Sequence, residues 1–234
     1  MKANIAELPW EDITKNLMER GYVIVPQVLS ASECAELRQN YDHPALYRKT
    51  ITMARYRFGL GEYKYFRYPL PHIITQLREQ VYEKILPVAN NWMQQLKQDT
   101  RFPDTHAEMR ARCATNNQLL PTVLILKYGK EGFNTLHQDL YGDIFFPMQM
   151  VFMLDEPGED YTGGEFVITE QIPRAQSKAN VLQPRRGDML IFATNYRPVK
   201  GMQGFYKVNM KHGVSPVHSG NRHSLGIIFH DALT

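Results

Sequence analysis

From about residue 119 the sequence breaks into short apolar runs: TVLILKYG, FFPMQMVFML, GGEFVIT, DMLIFAT, GFYKVNMKHGV and RHSLGIIFHD. The separators are rich in Gly, Pro, Asp and Asn. Runs of this length, bounded by turn residues, read as strands rather than helices. Many short strands at this spacing restrict the second half of the chain to an antiparallel sandwich or barrel.

The first half reads differently. Residues 10–20 predict a short amphipathic helix stopped at Gly21, and YVIVPQVL (22–29) predicts a strand. Ser30 and Glu33 have the spacing of a capping box that opens a second helix. Residues 71–98 predict one long helix or two, opened by Pro71 and interrupted by Pro87. The expectation is a mostly β fold with flanking helices. It forms one domain over 1–234, with 1–118 a helical layer and lid and 119–234 the β core. A chain of 234 residues, 43% of them hydrophobic and 22% charged, has material enough for such a core. A net charge of +3 does not by itself point to nucleic acid. The two cysteines, Cys34 and Cys113, form no CxxC and no disulfide framework. The start has no apolar signal core and no run is long enough to span a membrane. A cytoplasmic protein without a membrane partner is expected, and oligomeric state is left open.

Within LHQDLYGD (136–143), His137 and Asp139 stand two apart. On a strand they project from one face and can grip one object together. Four of the eight histidines lie far downstream: His212, His218, His223 and His230. Two histidines and one carboxylate on one side of a metal leave the other side open, as in non-haem Fe(II) oxygenases. His212 ends a strand-like run and precedes Gly213, His218 reads as turn, and His223 and His230 lie on the last strand. Arg222 lies ten positions past His212 and offers a planar fork for a carboxylate, with Arg197 the next candidate. A zinc hydrolase would instead need a general base beside the metal and no such arginine.

The chain resembles the Fe(II)/2-oxoglutarate-dependent dioxygenases. HQD matches their H-x-D, and HGVSPVHSGNR is similar to the H-x-V-x-P-V-x-x-G-x-R segment of prolyl-hydroxylase-like members. YTGGEFVI and QPRRGDMLIF resemble the Y-x-G-G-E-L-x-I and P-x-x-G-D-x-x-x-F strands of that group. GYVIVPQVLSASECAEL looks like their lead-in helix. The resemblance implies a double-stranded β-helix, a distorted jelly roll. It implies His137, Asp139 and His212 as metal ligands and catalytic residues, and Arg222 on the distal carboxylate of 2-oxoglutarate. Tyr128 falls where AlkB-like enzymes carry a tyrosine that contacts this co-substrate, whereas Leu126 replaces their asparagine. The implied cofactors are Fe(II), 2-oxoglutarate and O₂, and the implied reaction is C–H hydroxylation with release of succinate and CO₂.

Two substrate classes follow, damaged nucleobases (a DNA-repair dealkylation) and an amino-acid side chain or small metabolite. A non-catalytic jelly-roll sensor is a reading from another class. RYRFGLGEYKYFRYPLP (55–71) interleaves aromatics with cations. It reads either as a β-ribbon covering the core or as a substrate lid. In the lid reading, Arg57, Tyr63, Tyr65 and Arg67 stand at the pocket mouth, able to stack bases and hold phosphates. His218 and His223 are expected in turns or at the surface; His230 reads either as facing the co-substrate from the last strand or as a half-exposed strand end, Asp143 either as orienting a ligand histidine or as a turn residue, and Asn134 and Thr135 read equally well as a plain turn.

Overall fold

The computed structural model describes residues 4–233. Its helices are α1 (Trp10–Arg20), α2 (Ala31–Gln39), α3 (His72–Gln95) and α4 (His106–Thr115). Its strands are β1 (Tyr22–Val25), β2 (Tyr47–Thr52), β3 (Gly59–Leu60), β4 (Glu62–Phe66), β5 (Leu124–Tyr128), β6 (Phe133–His137), β7 (Met148–Met153) and β8 (Tyr161–Gly163). They continue with β9 (Phe166–Gln171), β10 (Ser177–Leu182), β11 (Met189–Ala193), β12 (Tyr196–Gly201), β13 (Gly204–Val214), β14 (Val217–Gly220) and β15 (Arg222–Ile228). A seven-stranded sheet runs β1-β11-β7-β15-β5-β4-β2. A second sheet runs β10-β9-β13-β6-β3, with β12 also on β13, and β14 pairs with β8. Every ladder between these strands is antiparallel, which gives the jelly roll its two facing layers.

The period-two rule assigns the two faces of the larger sheet. On β15, Arg222, Ser224, Gly226 and Ile228 line the space between the sheets. Leu225 and Ile227, on the opposite face, join Ile74, Leu77, Val81 and Ile85 of α3 in one apolar core. The helices therefore close the outer face of this sheet and leave its inner face to the cavity.

The expectations at two helix termini hold. Gly21 ends α1 in the left-handed region at φ 76, and its N–H returns to Leu17 O. Ser30 and Glu33 form both bonds of a capping box on α2. Both cysteines are free and buried. No described helix is long and apolar enough to cross a membrane.

Others need correction. β1 stops at Val25, because Pro26 cannot donate to a ladder and Gln27 turns at φ 52. α3 is one helix despite Pro87 within it. Pro87 lies on the exposed face, where water can serve the freed carbonyl, while the other face buries Val81, Ile85, Ala89 and Trp92. α4, opened by a Thr105–Glu108 capping box, had no expectation against it. The first half is also more than a helical layer and lid, since it supplies β1, β2 and β4 to the larger sheet and β3 to the smaller.

Within the basic-aromatic stretch, residues 62–66 are neither a covering ribbon nor a lid. β4 is an internal strand between β5 and β2. Its interleaving is strand alternation: Tyr63 and Tyr65 face the cavity, while Lys64 sits with its Nζ 4.0 Å from the Tyr41 ring centroid. The apparent polarity of Lys64 is thus covered by an aromatic face.

Candidate active site

The neighbouring strands β6 and β13 build the centre. Their ladder sets His137 opposite His212, with ring centroids 4.2 Å apart. Gly213 permits this approach, because a Cβ there would come within 2.6 Å of the Asn134 carbonyl oxygen. The chain leaves β6 at His137 and returns Asp139 to the same spot. Asp139 Oδ1 lies 3.7 Å from His137 Nε2, and Oδ2 lies 3.2 Å from His212 Nε2. One ligand atom from each of the three residues falls within 4.8 Å of the others.

The surroundings prepare each donor. His137 Nδ1 donates to the Thr135 carbonyl at 2.8 Å, which leaves the Nε2 lone pair facing the carboxylate. His212 lies parallel to Phe166, with centroids 5.7 Å apart, and 4.8 Å from the Phe192 ring. Burial and the nearby His137 lower the pKa of His212 and favour the neutral imidazole that a metal needs. Burial raises the pKa of Asp139, but His137 and His212 outweigh it and hold the carboxyl well below the usual range. Tyr141 donates to Asp139 Oδ1 at 2.9 Å and receives the Tyr65 hydroxyl at 3.1 Å. Burial and the adjoining Asp139 keep Tyr141 protonated, so it remains a donor.

Across the cavity, Arg222 opens β15 opposite Tyr128 on β5. Its side chain is 1% exposed, yet no carboxylate pairs with it among the described residues. One guanidinium nitrogen reaches Ser224 Oγ at 3.3 Å, another reaches Met153 Sδ at 3.4 Å, and Nε has no partner. The rings of Tyr128 and Tyr161 lie 5.5 and 6.0 Å from the guanidinium carbon. Gly164 makes room for the arginine stem, since a Cβ there would stand 2.9 Å from Arg222 Cδ. The Tyr128 hydroxyl and Gln149 Nε2 are also buried without a hydrogen bond of normal geometry. Unsatisfied polar groups of this kind are rare and call for a partner.

Donors and arginine share a cavity of about 230 Å³ walled by Tyr63, Tyr65, Leu126, Tyr141 and Val151. The residues present fit Fe(II) and 2-oxoglutarate. Two imidazoles and a carboxylate without thiolate suit ferrous iron, and a buried, unpaired guanidinium suits the far carboxylate of a chelating diacid.

Of the residues singled out by sequence, the structure brings His137, Asp139, His212, Arg222, Tyr128, Tyr63 and Tyr65 to one cavity. Arg57 and Arg67 are exposed and outside its lining, with Arg67 Nε on the Tyr47 carbonyl at 3.2 Å. Arg197 is engaged with Glu170 at 2.8 Å. His218 and Asp143 are exposed. His223 is not a surface residue: it is buried, and its Nδ1 meets Asp155 Oδ2 at 2.7 Å. Nor is His230 half exposed. It is fully buried and accepts the Phe146 N–H through Nδ1 at 3.1 Å. Asn134 and Thr135 belong to β6 rather than a turn. Tyr141 and Gln149 were missed. Their signals were the spacing of Tyr141 two beyond Asp139 and a lone amide in the apolar run FFPMQMVFML.

A profile of the Oxygenase-NA family, described as an oxygenase catalysing oxidative methylation of damaged DNA, matches residues 61–232. The chain belongs to this family. Two uncharacterized proteins of Mycobacterium tuberculosis are each 43% identical over 167 residues, 71% of this chain and 72% of theirs. Among solved structures, a Pseudomonas putida prolyl-4-hydroxylase aligns with TM-score 0.54 and 15% identity, covering 95% of this chain and 98% of its own. A Trichoplax adhaerens prolyl hydroxylase, solved with a hypoxia-inducible-factor peptide fragment, aligns with TM-score 0.56 and 14% identity over 98% and 96%. A 2OG-Fe(II) oxygenase-family oxidoreductase of Burkholderia pseudomallei aligns with TM-score 0.54 and 19% identity over 97% and 94%. At such identities the likeness establishes the jelly-roll fold. Family membership makes the protein an oxygenase, hence an oxidoreductase. The name 2OG-Fe(II) oxygenase belongs to the Burkholderia protein, and the donors His137, Asp139 and His212 of this chain fit a ferrous ion.

Proposed function

We propose that the protein is an Fe(II)- and 2-oxoglutarate-dependent dioxygenase that oxidises an alkyl carbon on a damaged nucleobase. In this reading His137, Asp139 and His212 hold the metal, and Arg222 with Tyr128 holds the distal carboxylate of 2-oxoglutarate. The observation that carries it is the donor triad beside a buried guanidinium with no carboxylate of its own. When bound, the iron couples decarboxylation of 2-oxoglutarate to C–H oxidation, with one oxygen atom of O₂ ending in succinate, the other in the hydroxylated product, and CO₂ leaving.

The protein's part is positional. Thr135 fixes the tautomer of His137, and Tyr141 fixes the carboxylate of Asp139. The fork of Arg222 would hold the distal carboxylate of the diacid in the cavity it shares with the histidines. The tyrosine and aliphatic walls exclude water. Flat walls from Tyr63 and Tyr65 suit a flat ring, and the description of the family supports a nucleobase. Hydroxylation of an N-methyl carbon gives a hydroxymethyl group that collapses to formaldehyde and the dealkylated base. The helices and both sheets are proposed to act as one catalytic domain, because β4 of the first half supplies part of the cavity wall.

The test measures succinate and formaldehyde in the presence of Fe(II), 2-oxoglutarate and O₂. Substrates are N-methylated single-stranded oligonucleotides, free amino acids and a proline-containing peptide. Formaldehyde matching succinate, with oligonucleotide only, is the expected result. Stimulation by amino acid or peptide alone moves the assignment to a side-chain hydroxylase.

A further inference from the structure

With Tyr63 and Tyr65 committed to the inner wall, contact with the rest of a long substrate falls to the segment just before them. Two large aromatics stand there in the open: Tyr56 is 53% exposed and Phe58 45%. Their rings stack on each other, with centroids 5.5 Å apart and planes 18° from parallel. Arg57 between them adopts a left-handed φ of 60, which folds the chain so that the two rings share a side. Arg55 precedes the pair and Arg57 joins its two members, both exposed and without an ion pair among the described residues. Phe58 also lines the cavity, so the pair is continuous with the site.

The backbone of Phe58 is anchored on β6 and on the turn before it. The Phe58 carbonyl accepts both the N–H and the hydroxyl of Thr135, each at 2.9 Å, and the Phe58 N–H reaches the Met53 carbonyl at 3.2 Å. Thr135 is also the residue whose carbonyl fixes His137. One residue therefore ties the exposed rings to the proposed metal strand at a set separation. Exposed aromatics anchored through Phe58, beside cations with no partner among the described residues, match what a single-stranded nucleic acid presents: flat bases at close spacing along an anionic backbone.

We propose that Tyr56 and Phe58, with Arg55 before them and Arg57 between them, form a stacking platform for the nucleotide next to the one whose base enters the cavity. The ligand is single-stranded nucleic acid, and the platform rests on the nucleobase reading above. A base has a π-face whatever its identity, so the platform tolerates sequence. The arginines meet the phosphates on either side. An aromatic step without free cations would suit a peptide equally well; it is the unpaired arginines that favour an anionic strand.

The test is fluorescence anisotropy of a labelled eight-nucleotide oligodeoxythymidine on the full chain, with 2-oxoglutarate and with Mn(II) replacing Fe(II) to prevent turnover. Tyr56→Ala and Phe58→Ala should each weaken binding by about tenfold, whereas Tyr56→Phe and Phe58→Tyr, which keep a ring, should stay within about twofold. Arg55→Gln and Arg57→Gln should each flatten the logarithmic salt dependence by about 0.7. Melting curves show whether each variant is folded. If the wild type binds the oligonucleotide and folded alanine variants bind it equally well, the platform is wrong and the nucleobase reading stands. If the alanine variants lose a proline-containing peptide and not the oligonucleotide, the rings serve a peptide and the proposal is overturned. If the wild type turns over 2-oxoglutarate with Fe(II) yet binds no oligonucleotide, the nucleobase reading falls and the platform with it.

Discussion

Arg222→Met should have effects of opposite sign with and without 2-oxoglutarate. In the free protein a guanidinium 1% exposed is held by one hydroxyl, one thioether and two aromatic faces. Taking a charge out of water costs several kcal/mol, and these weak partners offset it incompletely. A methionine of similar length removes that cost and is predicted to raise stability by about 1 kcal/mol, or about 2–4 °C in Tm for a chain of this size. With 2-oxoglutarate at a hundredfold its Kd and Mn(II) present, the wild type gains about 2.7 kcal/mol. The variant loses two charged hydrogen bonds to the distal carboxylate, each worth about 1.5–3 kcal/mol. Its affinity drops by about two to four decades, and at the same ligand concentration it gains almost nothing. The order of the two melting temperatures should therefore reverse on adding 2-oxoglutarate. Scanning fluorimetry reads both states. A variant less stable in both would make the guanidinium a structural group. Equal ligand-induced shifts in both proteins would place the diacid elsewhere.

Asp139→Ala leaves two imidazoles facing each other and should abolish stoichiometric metal binding by titration calorimetry; full occupancy would remove the triad assignment. Tyr65→Phe deletes the hydroxyl that reaches Tyr141 and should cost about 1 kcal/mol in urea unfolding, whereas Tyr65→Ala empties a buried wall position and should cost about 3–5 kcal/mol. His106 and His230 are buried neutral, their pKa values pushed down from 6.5 to about 2 and about 3 by burial and by the nearby Arg78. The unfolded chain takes up these protons as pH falls below 6.5 and the folded one does not. Stability should therefore be full above that pH and should fall by up to about 1.4 kcal/mol per pH unit per histidine below it. His106→Phe, which keeps an aromatic beside Tyr82 and Phe229, should lessen the urea-midpoint loss between pH 7 and 5, and an unchanged loss would exclude His106 as a source.

The centre was legible in the sequence because its parts have local spacing. The i, i+2 spacing pointed to His137 and Asp139 as a pair, although Asp139 lies past the end of β6 and is returned by the following loop rather than by strand alternation, and the strand run ending at His212 and Gly213 carries its own signature of close backbone approach. Which of four downstream histidines completes the triad was not legible from spacing. His223 and Arg222 are neighbours on β15, so strand alternation sends them to opposite faces, one to Asp155 and the other to the cavity. A shift of one residue in register would exchange them, and nothing in the local pattern fixes that register. The stretch 55–71 was ambiguous for a related reason. Alternating aromatics and cations describe a nucleic-acid groove and also a strand whose cations are covered by rings from another segment, and only the β2–β4–β5 pairing distinguishes the two. Lys64 belongs to the second case, because Tyr41 covers it from the 3₁₀ turn after α2, more than twenty residues away in sequence. Arg55 and Arg57 lie outside the paired strand and have no such cover. The same composition is therefore structural in β4, whereas in the four residues before β3 it belongs to exposed groups outside the paired strand. Pairing, which sequence spacing does not encode, decides which is which.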